Sequence, residues 1–355
     1  MNQPKLNVDE GKLNEFMGKA LADMGAAANM SLILIGDRLG LYKAMAGAGP
    51  MTSQELATKT GTSERYVREW LSAQAAGGYV SFAAGKFTLP DEQAMALAVD
   101  NSPAFIPGAY QIIASTVLDE PKVRAAFKTG EGVGWHEHNC TLFEGTERFF
   151  RPSYSAHLID EWIPALAGVE AKLKAGATVA DVGCGYGVSA ILMAQAYPKS
   201  KFIGFDYHAP SIEWASASAA KAGVSDRVTF EVASSKAFPG KGYDMVAFFD
   251  CLHDMGDPVG ASKHVRKSLK PDGTWMIVEP FANDKLEDNL NPVGRIFYSL
   301  STVVCTPASL SQEVGLGLGA QAGEARLRDV VSQGGFTRFR RATETPFNLI
   351  LEARP

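Results

Sequence analysis

The stretch Val179-Ala180-Asp181-Val182-Gly183-Cys184-Gly185-Tyr186-Gly187 constrains the fold more than any other part of this chain. A β-type run enters alternating glycines, and a helical pattern over 187–196 leaves them. Glycine lets backbone approach a ligand where a Cβ would stand in the way. A strand that turns through such a loop into a helix opens a parallel α/β unit. The alternation continues with a strand at 201–205 and a helix at 209–222, which has Pro210 in its first turn and Gly223 at its end. Strands at 228–232 and 243–249, a helix at 258–269 and a strand at 274–278 follow. This succession predicts a parallel sheet with helices on both faces. The end differs: a helix at 324–333 precedes two strands, 337–342 and 348–353, close enough to pair antiparallel. A long insertion spans 281–323.

Upstream the pattern is helical. Residues 12–35 read as one or two helices, with Phe16, Ala20, Leu21, Met24, Ala27 and Ala28 at helical spacing. That face suits either an internal core or a second copy of the chain. A helix at 33–46 follows, and Thr52-Ser53-Gln54-Glu55 opens the next helix with a capping box. A third, capped by Thr62 or Ser63, runs to Gly77-Gly78, and short strands at 79–83 and 86–89 complete a winged helix. The 355 residues therefore divide into 1–95 (helices and winged helix), 96–170 (helical connector and lid) and 171–355 (α/β domain). Within the connector, Trp135-His136-Glu137-His138-Asn139 is polar and aromatic enough to form part of a lid. Phe149, Phe150, Tyr154 and Trp162 divide between core and pocket.

The excess of 39 acidic over 34 basic residues argues against a large phosphate-neutralising surface. The helix that would read DNA, Ser63–Trp70, carries two arginines but also two glutamates, so nucleic acid is an unfavoured partner. Neither a leader pattern nor an apolar run of ~20 residues is visible, so no membrane association is expected. The four cysteines form no Cys-x-x-Cys. A cytoplasmic protein needing no metal is the expectation.

Two cofactor classes use a strand–glycine–helix turn followed by an acid such as Asp206 at the tip of the next strand. Dinucleotides favour Gly-x-Gly-x-x-Gly. Here the loop is Gly-x-Gly-x-Gly, and Asp181 precedes it, which suits a cationic amino-acid group better than a pyrophosphate. Asp-Val-Gly-Cys-Gly-Tyr-Gly resembles motif I of the class I methyltransferases, which bind S-adenosylmethionine (SAM). The resemblance implies a Rossmann-like sheet of order 3-2-1-4-5-7-6 with strand 7 antiparallel. It further implies that Asp181, Gly183, Cys184 and Gly185 surround the methionine portion. Asp206 would hold the ribose hydroxyls, Tyr207 would lie near the adenine, and Ser234 and Ser235 would take the place of the acid found there in many relatives.

Beyond the fourth strand stands Asp250-Cys251-Leu252-His253-Asp254, and the fifth ends at Val278-Glu279. Ligands of open α/β sheets bind past the carboxyl ends of the strands, so Asp250 and His253 should border the transferable methyl. A histidine there can take a proton from a hydroxyl, and Glu279 can orient its ring. Leu-His-Asp and Val-Glu at these places look like the small-molecule O-methyltransferases, whose N-terminal winged helix dimerises. That likeness implies His253 as general base, Glu279 as its holder, a small-molecule acceptor and a homodimer. Glu313 is the candidate for a second supporting acid. Transfer to nitrogen or carbon without a base is the alternative, as is a SAM-sensing DNA-binding regulator.

Overall fold

The computed structural model describes residues 6–355. They form two compact units, one within the first 114 residues and one over Ser115–Pro355.

The first unit begins with a single helix, Glu10–Arg38, whose N-terminus is capped by Asp9 accepting from the Lys12 amide. The helix expected at 33–46 is broken in two: Gly40, at φ +68°, takes the left-handed turn that releases Leu41–Met45. Helices Ser53–Thr60 and Glu64–Ala76 follow. The capping box is present, with the Glu55 amide donating to Thr52 Oγ1 and the Thr52 amide to Glu55 Oε2. Neither Thr62 nor Ser63 supplies the expected side-chain cap: Ser63 holds the N-cap position without a side-chain bond, and Ser53 ties down Glu64 instead. Strands β1 (Ser81–Ala83) and β2 (Lys86–Thr88) form the antiparallel wing. The core gathers Ile33, Tyr42, Leu56 and Leu71, and the Tyr42 hydroxyl donates to Gln74. Leu13, Phe16, Met17, Leu21 and Met24 on the long helix remain exposed, so the intramolecular core begins only at its last turns.

The second unit is built on seven strands: β3 (Thr178–Val182), β4 (Lys201–Asp206), β5 (Val228–Val232), β6 (Tyr243–Phe249), β7 (Leu269–Pro280), β8 (Arg338–Glu344) and β9 (Asn348–Arg354). Their order is β5-β4-β3-β6-β7-β9-β8, and β9 runs against both neighbours. Counted within the sheet this is 3-2-1-4-5-7-6 with the seventh strand antiparallel, as the sequence implied. Alternate side chains feed two apolar layers. Val179, Met245 and Met276 join one with Trp162; Ala180, Val246 and Trp275 join the other.

The strand order reverses between β4 and β6 on either side of β3, and the glycine loop leaves β3 there. The amides of Gly183 and Cys184 donate to Phe205 O on β4, which clamps the loop to the sheet. Gly204 lies beneath it: an added Cβ would stand 2.4 Å from the Phe230 ring and 2.9 Å from Cys184 Sγ. Gly204→Val should therefore destabilise the fold by about 1–3 kcal/mol through overpacking. Denaturant unfolding of the variant checks this; unchanged stability would mean that the loop is not seated on Phe230.

Candidate active site

A cleft of about 320 Å³ opens over the carboxyl ends of β3, β4 and β6. Its floor is the glycine loop. Gly183, Gly185 and Gly187 all take positive φ, at +74°, +50° and +80°. A Cβ on Gly183 would lie 2.7 Å from Cys251 Sγ, whereas one on Gly185 would meet nothing within 4 Å. The first glycine is thus required by packing as well as by backbone conformation, and the second by conformation alone.

Asp206 stands at the tip of β4 and secures the loop. Its carboxylate accepts from the Gly185 amide at 3.0 Å and from the His208 amide at 2.9 Å. Burial raises its pKa, and those amide bonds oppose the shift. Tyr207, Ser234 and Ser235 line the same end. Asp250 lies beyond β6 with φ +49°, a conformation seldom taken by a residue with a side chain. Tyr154 donates to its Oδ2 at 2.7 Å and Asn348 to its Oδ1 at 3.0 Å. Burial pushes Asp250 up to about 7 despite the tyrosine bond, and does the same to Asp254. Trp135, His136, Phe143, Phe150 and Tyr154 supply an aromatic wall, and Ala308, Ser311 and Gln312 close the far side. Among the described residues that line the cleft there is neither lysine nor arginine.

Three nominated residues do not line it. Asp181 is fully buried on the face that also carries Val179, under the start of the helix Val188–Ala196. Ser189 donates to its Oδ2, its Oδ1 has no hydrogen-bond partner, and burial lifts its pKa to about 7. The alternation of side chains along β3 puts it on the face of Val179, and it does not itself line the cleft. His253 and Glu279 stand behind the wall, paired with each other. Glu279 Oε2 lies 2.6 Å from His253 Nδ1, and its Oε1 accepts from the Leu252 amide at 2.9 Å. The other ring nitrogen, Nε2, is 3.3 Å from Cys305 Sγ. Burial works against the charged imidazole, yet Glu279 and Cys305 outweigh it and hold His253 well above the ordinary range.

Residues 173–313 match the family model of a methyltransferase domain, and residues 27–99 match an Rv2258c-like winged HTH domain. This chain carries a methyltransferase domain behind a winged helix. The same architecture recurs in solved structures. Mitomycin 7-O-methyltransferase MmcR is 18% identical with a TM-score of 0.71, over 98% of this chain and 100% of that one. Human N-acetylserotonin methyltransferase, solved with SAM, is 16% identical with a TM-score of 0.66, over 99% of each chain. CalO1, a methyltransferase of calicheamicin biosynthesis solved with S-adenosylhomocysteine (SAH), is 18% identical with a TM-score of 0.65, over 98% and 100%. At such identities the likeness is one of fold. No curated protein matches the sequence.

Two sequence readings change. Glu313 does not support His253: its side chain is 82% exposed and pairs with Lys236. His136 and His138 part company, His136 lining the cleft while His138 is buried against Asp119 at 3.0 Å. Among the described residues no group of three or more His, Cys, Asp or Glu side chains is placed to hold a metal ion. Asp254, Gln312 and Cys305 were not singled out beforehand. Only Asp254 carried a signal, as the residue that follows His253.

The raised groups fix the sign of a pH effect. Asp181, Asp250 and Asp254 stand near 7 in the folded protein, against about 3.9 in an unfolded chain. His253 is also raised. A group raised on folding stabilises below its unfolded pKa and loses that contribution as pH climbs through its folded value. Without cofactor, the melting temperature should fall between pH 6 and pH 8, and less steeply in Asp254→Asn. Equal slopes would mean that Asp254 titrates as an ordinary carboxylate.

Proposed function

We propose that the protein transfers the methyl group of SAM to a hydroxyl of a small molecule, with His253 as general base and Glu279 as its positioning residue. The glycine-floored cleft fits the cofactor. Gly185 leaves the space that a side chain would fill, and Gly183 exposes backbone. Asp206 presents a carboxylate to the ribose, and the acid-lined wall suits a sulfonium cation. SAM supplies an already activated methyl, so the protein's task is alignment and removal of the acceptor proton. In its neutral form His253 donates from Nδ1 to Glu279 and leaves Nε2 to receive that proton. The observation that carries the reading is this His253–Glu279 pair at the carboxyl ends of β6 and β7, with Cys251 and Asp254 on either side of the histidine lining the cleft. The aromatic side chains from Trp135 to Tyr154 suit a flat acceptor, and the lack of cationic lining disfavours an anionic one.

One observation favours transfer to nitrogen or carbon without a base: His253 does not line the cleft, and Nε2 faces Cys305. DNA binding draws less support. Arg65 pairs with Glu69 and Arg68 with Glu64, so the helix that would enter the groove has its arginines neutralised along its own surface. Among the described residues no helix is long and apolar enough to cross a membrane. The four free cysteines suit a reducing cytoplasm.

Calorimetry with SAM tests the cofactor, and substitution tests the base. Gly183→Val should abolish binding, because the new side chain would collide with Cys251 and strain the loop. Asp206→Ala should weaken it by about 1.5–3 kcal/mol. With a hydroxyl acceptor, His253→Ala should lower turnover by about 10²–10⁴ while SAM affinity holds. Undiminished turnover would shift the reading to alignment alone, and undiminished SAM binding by Gly183→Val would remove the cofactor assignment.

Assembly as a homodimer belongs to the same proposal. Phe16, Met17, Leu21 and Met24 form an exposed apolar face on the helix Glu10–Arg38, and a second copy would cover it. Small-angle scattering at micromolar concentration should give a dimer, and Phe16→Glu with Leu21→Glu a monomer. A stable interface of this kind buries more than about 1,000 Å². A wild-type monomer would contradict the assignment.

A further inference from the structure

Cys305 completes a chain of three groups whose other two members are His253 and Glu279. It closes the π-helical turn Ser301–Cys305, between the helices Pro292–Leu300 and Thr306–Leu310. Such turns are rare and gather at functional sites. Its sulfur lies 3.3 Å from Nε2 of His253, and Nδ1 of the same ring lies 2.6 Å from Glu279. A carboxylate, an imidazole and a thiol in this order make up the arrangement that activates a sulfur nucleophile. The histidine and glutamate are almost wholly buried, whereas Cys305 is partly exposed. The other thiols differ. Cys140 is exposed. Cys184 and Cys251 line the cleft, where burial and nearby carboxylates hold both well above the ordinary thiol range.

We propose that Cys305 is a reactive thiol coupled to His253, a modification site for small uncharged soft electrophiles. The proposal rests on the role given above to His253 and adds a consequence: the thiol occupies the place an acceptor hydroxyl would take at Nε2. An adduct there blocks the acceptor end of the site and leaves the glycine loop untouched. With iodoacetamide as the electrophile, the sulfur forms a bond to the methylene carbon and the carbon–iodine bond breaks. Iodide leaves, and the thiol proton passes to Nε2 of the ring in its neutral form, where Glu279 supports the resulting imidazolium.

The test is alkylation of the full chain in a Cys140→Ser background, with SAH present to cover Cys184 and Cys251. Site and rate are read by peptide mass spectrometry. Cys305 should label first, and His253→Gln should slow that labelling about tenfold by removing the proton acceptor. Glu279→Gln should slow it less, and either variant that keeps the wild-type melting temperature decides the point. SAH affinity, measured by calorimetry after labelling, should remain within about twofold, because the adduct lies outside the cofactor contacts. Cys305 labelling as fast without the imidazole, or more slowly than Cys184 and Cys251, would overturn the proposal. Loss of SAH affinity on labelling would overturn the placement of the adduct. Absence of SAH binding by the unlabelled protein would instead remove the cofactor reading, and the dependence of the alkylation rate on His253 would still be measurable.

Discussion

Desolvated carboxylates at the carboxyl edge of the sheet are the feature on which the rest of the site depends. Asp206, Asp250 and Asp254 are held around one cleft, with no lysine or arginine among its described lining residues. Burying charge without a partner is costly, so these groups move toward their neutral forms, Asp250 and Asp254 to about 7. The fold tolerates this because two of the carboxylates also do structural work. Asp206 fixes the glycine loop through Gly185, and Asp250 ties Tyr154 to Asn348 across the top of the sheet. A cavity so arranged is electrostatically incomplete, and a cationic ligand is the natural complement.

The insertion over 281–323 turns that edge into an enclosed site. Gln312 donates to Asp254 O and accepts from the Gly256 amide, Ser309 donates to Met255 O, and the Gly319 amide donates to His253 O. The Val133 amide reaches Pro307 O, so the segment before the aromatic wall is bound to the same roof. The backbone from His253 to Gly256 is thus held by the insertion that also delivers Cys305. Contacts to His253 and closure of the cleft come from one element. A change in that element would alter both together.

The sheet was legible in the sequence because its signals are local. Gly-x-Gly-x-Gly after an apolar strand, Pro210 within a helix start and the alternation of strand and helix each report on a few neighbouring residues. The register of β6 and β7, which sets Glu279 beside His253, follows from the same pattern. The face that Asp181 occupies was not legible in the sequence. Its spacing to the loop was clear, but the face it occupies on β3 is decided by packing against Ser189 and the following helix. Glu313 and Cys305 show the limit more plainly. Both belong to the irregular insertion, where no periodicity says which residue turns inward, and Glu313 went to Lys236 while Cys305 reached the histidine.

That the cleft awaits a cation can be tested through protons. Titration of SAM into the protein at pH 7, in buffers of different ionisation enthalpy, measures the protons exchanged on binding. Because Asp250 and Asp254 are raised to about 7, both are substantially protonated at that pH, and an arriving sulfonium favours their ionised forms. SAM should bind with net proton release and more tightly as pH rises from 6 to 8. SAH, which lacks the sulfonium charge, should release fewer protons. Net proton uptake, or identical proton exchange for SAM and SAH, would contradict a site built around buried carboxylates that receive a cationic cofactor.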